Sequence, residues 1–325
     1  MQTVLVAGGG GFIGSHLCGA LVADGYRVMA VDNFITGNKK NIEPLLNNKQ
    51  FVLIEDDIIN ENSRLRQGFG GQAKLNYIFH LASPASPNKK SPRSYISHPI
   101  ETMLANSLGT KNLLDLAGEH GAAFLYASSS EVYGDPLVSP QNEDYFGNVN
   151  SIGPRSVYDE GKRFSEAMTM AYSRTHNVNV RIVRIFNTYG PKMAADDGRV
   201  VSNFITQALE NKPITIYGSG SQTRSFCYID DMVDGLIKAM FSDKSRGEVI
   251  NLGNPQELPI IELAKLIKKL TNSQSELIHG ELPQDDPQKR KPDITRAKRL
   301  LSFLPKVPIE EGLAKTIQYF KESSL

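Results

Sequence analysis

The sequence predicts an α/β protein, a doubly wound parallel sheet followed by a smaller C-terminal lobe. Three observations carry this. Short, continuous apolar runs alternate with segments of helical spacing, the pattern of parallel strands covered on both faces. A glycine-rich turn follows the first run, and the alternation loosens after residue 190. In chain order the strands are read at "TVLVA" (3–7), "RVMAV" (27–31), "FVLI" (51–54), "YIFHL" (77–81), "AAFLY" (122–126) and "VRIVRIF" (180–186). The longest helices fall at 99–119, with apolar Ile100, Met103, Leu104, Leu108, Leu113, Leu114 and Leu116, and at 156–176. Beyond "NTYGP" (187–191), stretches such as "GSGSQTRSF", "NLGNP" and "DDPQKRKPD" read as loops between shorter elements. Residues 1–190 are therefore expected to form the sheet domain and 191–325 the substrate lobe, with segments around 225–253 free to return to the sheet.

Composition narrows the classes of partner. With 36 Lys+Arg against 35 Asp+Glu, no global charge favours nucleic acid or a membrane surface. Two cysteines, Cys18 and Cys227, at unrelated apolar positions fit a reducing cytoplasm rather than a disulfide scaffold. The chain enters "TVLVAGGGGFIG" directly, so neither a leader nor a membrane anchor is expected, and no apolar stretch is long enough to span a bilayer. No metal is expected. The stretch "RLRQGFGGQAK" (64–74) reads as a surface loop insertion without function.

Gly8, Gly11 and Gly14 stand at GxxGxxG spacing between a strand and a helix. There glycines allow a tight turn and bring the backbone close to a pyrophosphate resting on the helix N-terminus. Asp32 closes the next strand, where an acidic side chain hydrogen-bonds an adenosine ribose and repels a 2′-phosphate. A Rossmann-type domain holding NAD rather than NADP follows; Lys39 and Lys40 nearby read as a solvated loop.

A second motif lies in "VYDEGKR", where Tyr158 and Lys162 are four apart and share one helix face. A tyrosine titrating near ~10 needs neighbouring positive charge to act as a base at neutral pH, and a lysine ammonium supplies part of it. Between the two motifs, "ASSSEVYGDP" (127–136) crowds Ser128, Ser129, Ser130 and Glu131 at the mouth of a buried strand.

The glycine spacing with Tyr158 and Lys162 resembles the extended short-chain dehydrogenase/reductase superfamily. Longer matches, "HLASPASP" (80–87), "SSSEVYGDP" (128–136), "NSIGPR" (150–155), "RIFNTYGP" (184–191), "DGRVVSNFI" (197–205), "YGSGSQTRSF" (217–226), "NLGNP" (251–255) and "DDPQKRKPDI" (285–294), resemble the UDP-glucuronate decarboxylase (UDP-xylose synthase) family across nearly the whole chain. The resemblance implies NAD as a tightly held cofactor, with Phe12, Ile13, Asn33, Phe34, Thr36, Gly37, Asp57, Ile58, Leu81, Ala82 and Ser83 joining Gly8, Gly11, Gly14, Asp32, Tyr158 and Lys162 in its site. It implies Ser129 in the family's Thr position, hydrogen-bonding the substrate O4, and Glu131 accepting from a sugar hydroxyl, holding a distorted ring, or positioning water for C5. Ser130, Asn187, Tyr217, Arg224 and Arg290 are implied on the substrate side, the two arginines meeting diphosphate or carboxylate. The implied reaction oxidises C4, loses CO2 from the resulting β-keto acid and reduces C4 again, giving UDP-xylose from UDP-glucuronate in a homodimer packed through helices 99–119 and 156–176.

The chain departs from the family at Ser129, at 64–74 and at "NKKS" (88–91) near the expected meeting of cofactor and substrate, and it is expected to lack the N-terminal anchor that some members carry. A UDP-sugar 4-epimerase or 4,6-dehydratase is the rival enzyme. A non-catalytic dinucleotide sensor is the rival of another class.

Overall fold

The computed structural model describes residues 1–60, 74–281 and 289–323. Apart from Lys74, the predicted insertion at 64–74 lies outside the described residues. Among those residues, seven strands build the main sheet: β1 Thr3–Ala7, β2 Arg27–Asp32, β3 Phe51–Glu55, β4 Tyr77–His80, β5 Ala123–Ser129, β6 Val180–Ile185 and β7 Val249–Leu252. Their order is β7-β6-β5-β4-β1-β2-β3, and every pairing is parallel. Successive side chains of one strand enter opposite layers. Val4, Val6, Val28 and Ala30 face one core, whereas Leu5, Ala7, Met29 and Val31 face the other. Both faces are thus buried at about 1.5–3 kcal/mol per large aliphatic side chain, which is why these runs are apolar without alternation.

The described helices are α1 Phe12–Ala23, α2 Pro99–Leu104, α3 Thr110–His120, α4 Ser156–His176, α5 Val200–Leu209, α6 Ile229–Phe241, α7 Ile260–Thr271, α8 Thr295–Leu301 and α9 Ile309–Ser323. The single helix read at 99–119 is interrupted by a π-turn at Ala105–Gly109. Side-chain bonding accompanies the break: Asn106 Nδ2 donates to Thr102 O and to Ser83 Oγ, both at 2.8 Å, and its Oδ1 accepts from Tyr126. Helix α4 spans the predicted residues and buries Tyr158, Asp159, Gly161, Lys162, Ser165 and Thr169. It ends at Asn177 in the left-handed region, after Arg174 and His176 at the negative end of its dipole.

After residue 190 the chain divides its residues between two places. Helix α6 packs on α1 and on the sheet, and β7 extends the sheet edge beside β6. The remainder forms a lobe in which strand Thr223–Ser225 lies between Glu257–Pro259 and Lys289–Arg290, while Ile214–Tyr217 pairs with Leu277–Gly280. Strand order reverses between β1 and β4, so their carboxyl ends open the crevice where doubly wound sheets bind ligands.

Candidate active site

The crevice is an open cleft lined by Gly8, Gly11, Asp32, Asn33, Thr36, Gly37, Asp57, Ile58, Leu81, Ala82 and Ser83, together with Ile35, Glu101 and Ala105 among others. Gly8 lines it, and Gly14 packs behind Gly8 without lining it. Gly8 has φ +82°, and a Cβ there would stand 2.8 Å from the Ala82 amide; a Cβ on Gly14 would stand 2.0 Å from Gly8 O. No side chain caps α1, so its first N–H groups remain available to an anion. Asp32 is fixed at the cleft wall by the Gly10 and Phe34 amides, each donating at 2.8 Å. Burial pushes its carboxyl pKa up, and those two bonds oppose the shift. Lys39 is engaged elsewhere, 2.6 Å from Glu55. Phe12, Ile13 and Phe34 pack their side chains against the core rather than lining the cleft. A cradle that a methyl would fill, open helix amides and an anchored carboxylate fit the pyrophosphate and ribose of a dinucleotide.

The residues expected from sequence to be catalytic come together where β5 meets α4, and Ser129, Tyr158 and Lys162 are not among the residues that line the cleft. Tyr158 lies beside Ser129, whose hydroxyl favours the phenolate, and the Tyr158 ring stacks on Tyr95 with centroids 5.1 Å apart. Lys162 Nζ donates to Ala127 O at 2.9 Å and lies 5.7 Å from the Tyr158 ring centroid. Burial lowers the Lys162 pKa to about 7, and burial raises that of Tyr158 to about 12. The leading charge favouring the phenolate is Arg199, a residue to which the sequence reading gave no role. Ser128, the serine beside the pair, instead donates to Glu166 at 2.6 Å, and Glu166 is paired with Arg184.

Glu131 occupies a cationic clasp. Arg155 Nη2 reaches its Oε2 at 2.5 Å, Arg290 Nη2 donates to the same oxygen at 3.0 Å, and Arg290 Nη1 donates to Oε1. Burial alone would raise the Glu131 pKa, but the Arg155 and Arg290 charges outweigh it and hold the carboxyl down at about 2. Arg290 pairs in register with Arg224 on adjacent parallel strands, and both are buried. Ser130 is buried at the end of β5. Asn187 follows β6, its carbonyl accepting from Cys227 N at 2.9 Å. Tyr217 is 45% exposed at the end of a separate two-stranded sheet, apart from the arginine clasp.

Four further residues enter the site without having been singled out from sequence: Tyr95, Arg155, Asp159 and Arg199. Arg155 and Arg199 lie inside "NSIGPR" and "DGRVVSNFI", so the signal was present as motif without role. The "NKKS" loop is pinned to the 196–198 turn, Asn88 Nδ2 donating to Asp196 O at 3.0 Å and Ser91 Oγ to Asp196 Oδ2 at 3.0 Å. That loop leads to Tyr95, whose amide donates back to Ser86 O at 3.1 Å.

Residues 4–253 match the model of the NAD dependent epimerase/dehydratase family. The chain is 50% identical over 321 residues to UDP-glucuronic acid decarboxylase 1 of Xenopus tropicalis, covering 99% of this chain and 72% of that protein. It is 48% identical over 322 residues to UDP-glucuronic acid decarboxylase 4 of Arabidopsis thaliana, covering 98% and 68%. Among solved structures it is similar to UDP-glucuronic acid 4-epimerase from Bacillus cereus in complex with UDP-glucuronic acid and NAD, at TM-score 0.87 and 29% identity over 99% of this chain and 100% of that one. It is also similar to UDP-glucose 4-epimerase from Thermotoga maritima, at TM-score 0.89 and 29% identity over both full chains.

Proposed function

We propose that this chain, which belongs to the NAD dependent epimerase/dehydratase family, is a UDP-glucuronate decarboxylase that forms UDP-xylose. Epimerases share its fold at 29% identity, so the fold does not choose the reaction. The observation that supports the choice is the carboxylate and two arginines gathered next to Tyr158, in a chain half-identical to a named decarboxylase.

Bound NAD supplies the two-electron acceptor at the start and the donor at the end. Tyr158 takes the O4 proton as C4 is oxidised, and Ser129 holds O4 by its hydroxyl. Phenolate formation in a buried site needs charge nearby, which Arg199 provides in the free protein. The carboxylate at C5 is then β to a carbonyl, and loss of CO2 leaves its electron pair delocalised onto O4. Ser129 and the Tyr158 hydroxyl face that developing charge with fixed dipoles, and Lys162, anchored on Ala127 O, keeps the tyrosine face ordered. Arg290 and Arg155 are the cations suited to the uronate carboxylate. Glu131 then exchanges one guanidinium for a sugar hydroxyl or an ordered water.

Two further features belong to the same reading. A homodimer is supported by Ile100, Met103 and Leu104 on α2 and its C-terminal edge and Phe164 on α4, all exposed apolar side chains on the two helices named from sequence. A cytoplasmic location is supported by two buried free cysteines.

The deciding experiment incubates purified protein with UDP-glucuronate, with and without added NAD, and follows products by NMR and mass spectrometry. UDP-xylose and CO2 without net reduced cofactor is the expected result. A product of unchanged mass, inverted at C4, would make it an epimerase.

A further inference from the structure

Replacing a C5–carboxylate bond by a C5–H bond consumes one proton per turnover. Tyr158 does not supply it, because the proton it takes from O4 returns there when C4 is reduced. The source must be a group that is protonated at working pH, shielded from bulk water and close to the carboxylate-binding arginines.

Asp159 meets these conditions. It follows Tyr158 on α4, is 6% exposed, and its Oδ1 is buried without a hydrogen-bond partner. A carboxylate set in a first helical turn only to cap it would bond backbone N–H groups, and Oδ1 bonds none. The groups facing it are Glu131 from the turn after β5, Arg290 from the lobe sheet, Tyr95 from the 86–98 loop, and Arg155, Tyr158 and Glu160 from its own helix and the turn before it. Burial, followed by the negative charge of Glu131, pushes the Asp159 carboxyl up to about 8 against the pull of Arg155 and Arg290. The Tyr95 hydroxyl, on the ring stacked against Tyr158, is also buried without a partner.

Charge balance gives this acid a purpose. Arg155 and Arg290 bring two positive charges, and Glu131 neutralises one. With substrate bound, the uronate carboxylate balances the other; when it departs as neutral CO2, that charge is left uncompensated in a buried site, which is costly. We propose, on the decarboxylase reading above, that Asp159 delivers the C5 proton through one bridging water, its own carboxylate then replacing the lost anion beside the arginines. The C5–CO2 bond breaks, leaving its pair on the C5–C4–O4 system. The Asp159 proton passes to the water as a water proton passes to C5, and C4 regains its carbonyl. Solvent reprotonates Asp159 before the next turnover.

The test compares wild type with Asp159→Asn and Asp159→Glu on UDP-glucuronate. D159N should reduce bound NAD in a single turnover within about threefold of wild type, because C4 oxidation does not use this proton. Its complete turnover should be about 10²-fold slower. In wild type kcat should fall as pH rises through the Asp159 titration; D159N should lack that limb, and D159E should restore it at a displaced pH with most of the rate. In D2O, wild type should place deuterium on one face of C5, and D159N on both. Turnover within threefold of wild type, an unchanged alkaline limb, or equal losses in oxidation and turnover would each overturn the assignment. If D159N does not fold, D159E decides: an alkaline limb at the same pH as wild type overturns it. A wild type that releases no CO2 sinks the decarboxylase function itself, which the variants cannot do.

Discussion

The two ends of the site are built from different materials. The cofactor end is mostly backbone: a glycine turn, open helix amides and one carboxylate held by two amides, largely contributed by residues 8–37. The sugar end is side-chain charge brought from residues 131 to 290, with Glu131, the pair Arg155 and Asp159, Arg199 and Arg290 arriving from four separate places in the chain. A backbone site has fixed geometry and tolerates no added atoms. A charge cluster depends on balance, so each member alters the protonation of the others.

Three substitutions test that contrast. Gly14→Val should have the largest effect: its Cβ, 2.0 Å from Gly8 O, cannot be accommodated without moving the backbone, and NAD should no longer be detected by calorimetry or in the purified protein. Retained cofactor would show that the turn is softer than its packing implies. Tyr158→Phe, at the junction of the two ends, should cut kcat about 10³-fold with cofactor binding and thermal stability preserved. A loss below tenfold would move the O4 base to another group. Glu131→Gln should act through balance rather than shape. It removes the anion from between the buried Arg290 and half-buried Arg155 guanidiniums, at a cost of about 3–5 kcal/mol, seen as a lower Tm, with turnover slowed about tenfold or more. The sign with pH follows from the depressed Glu131 pKa: its stabilisation is present above the ordinary carboxylate pKa and is lost as pH falls toward about 2. Wild-type Tm should therefore drop faster than that of the variant below pH ~4.5. Parallel acid profiles would show that the clasp contributes little.

The same division explains what was readable beforehand. Gly8, Gly14 and Asp32 were legible because their task is local: turn, helix start and strand end are consecutive. Tyr158 and Lys162 were legible because one helix face presents residues four apart. The mutual grip of Glu131 and Arg290 was not, although both residues had been named. Their separation along the chain is closed only when the lobe strand Lys289–Arg290 pairs beside Thr223–Ser225. Nor was the break in the 99–119 helix visible, since it accompanies Asn106 bonds to Ser83 in the loop after β4 and to Tyr126 on β5.

By itself the sequence determined the parallel sheet, the dinucleotide turn, the Tyr-Lys pair and, through its motifs, the family, because apolar runs, glycine spacing and helical periodicity act over neighbouring residues. Tertiary structure alone decided the protonation of the site. Burial moves Lys162 down and Tyr158 and Asp159 up, while the paired arginines hold Glu131 ionised. Those shifts depend on which charges are packed together away from water, and no spacing along a chain records that.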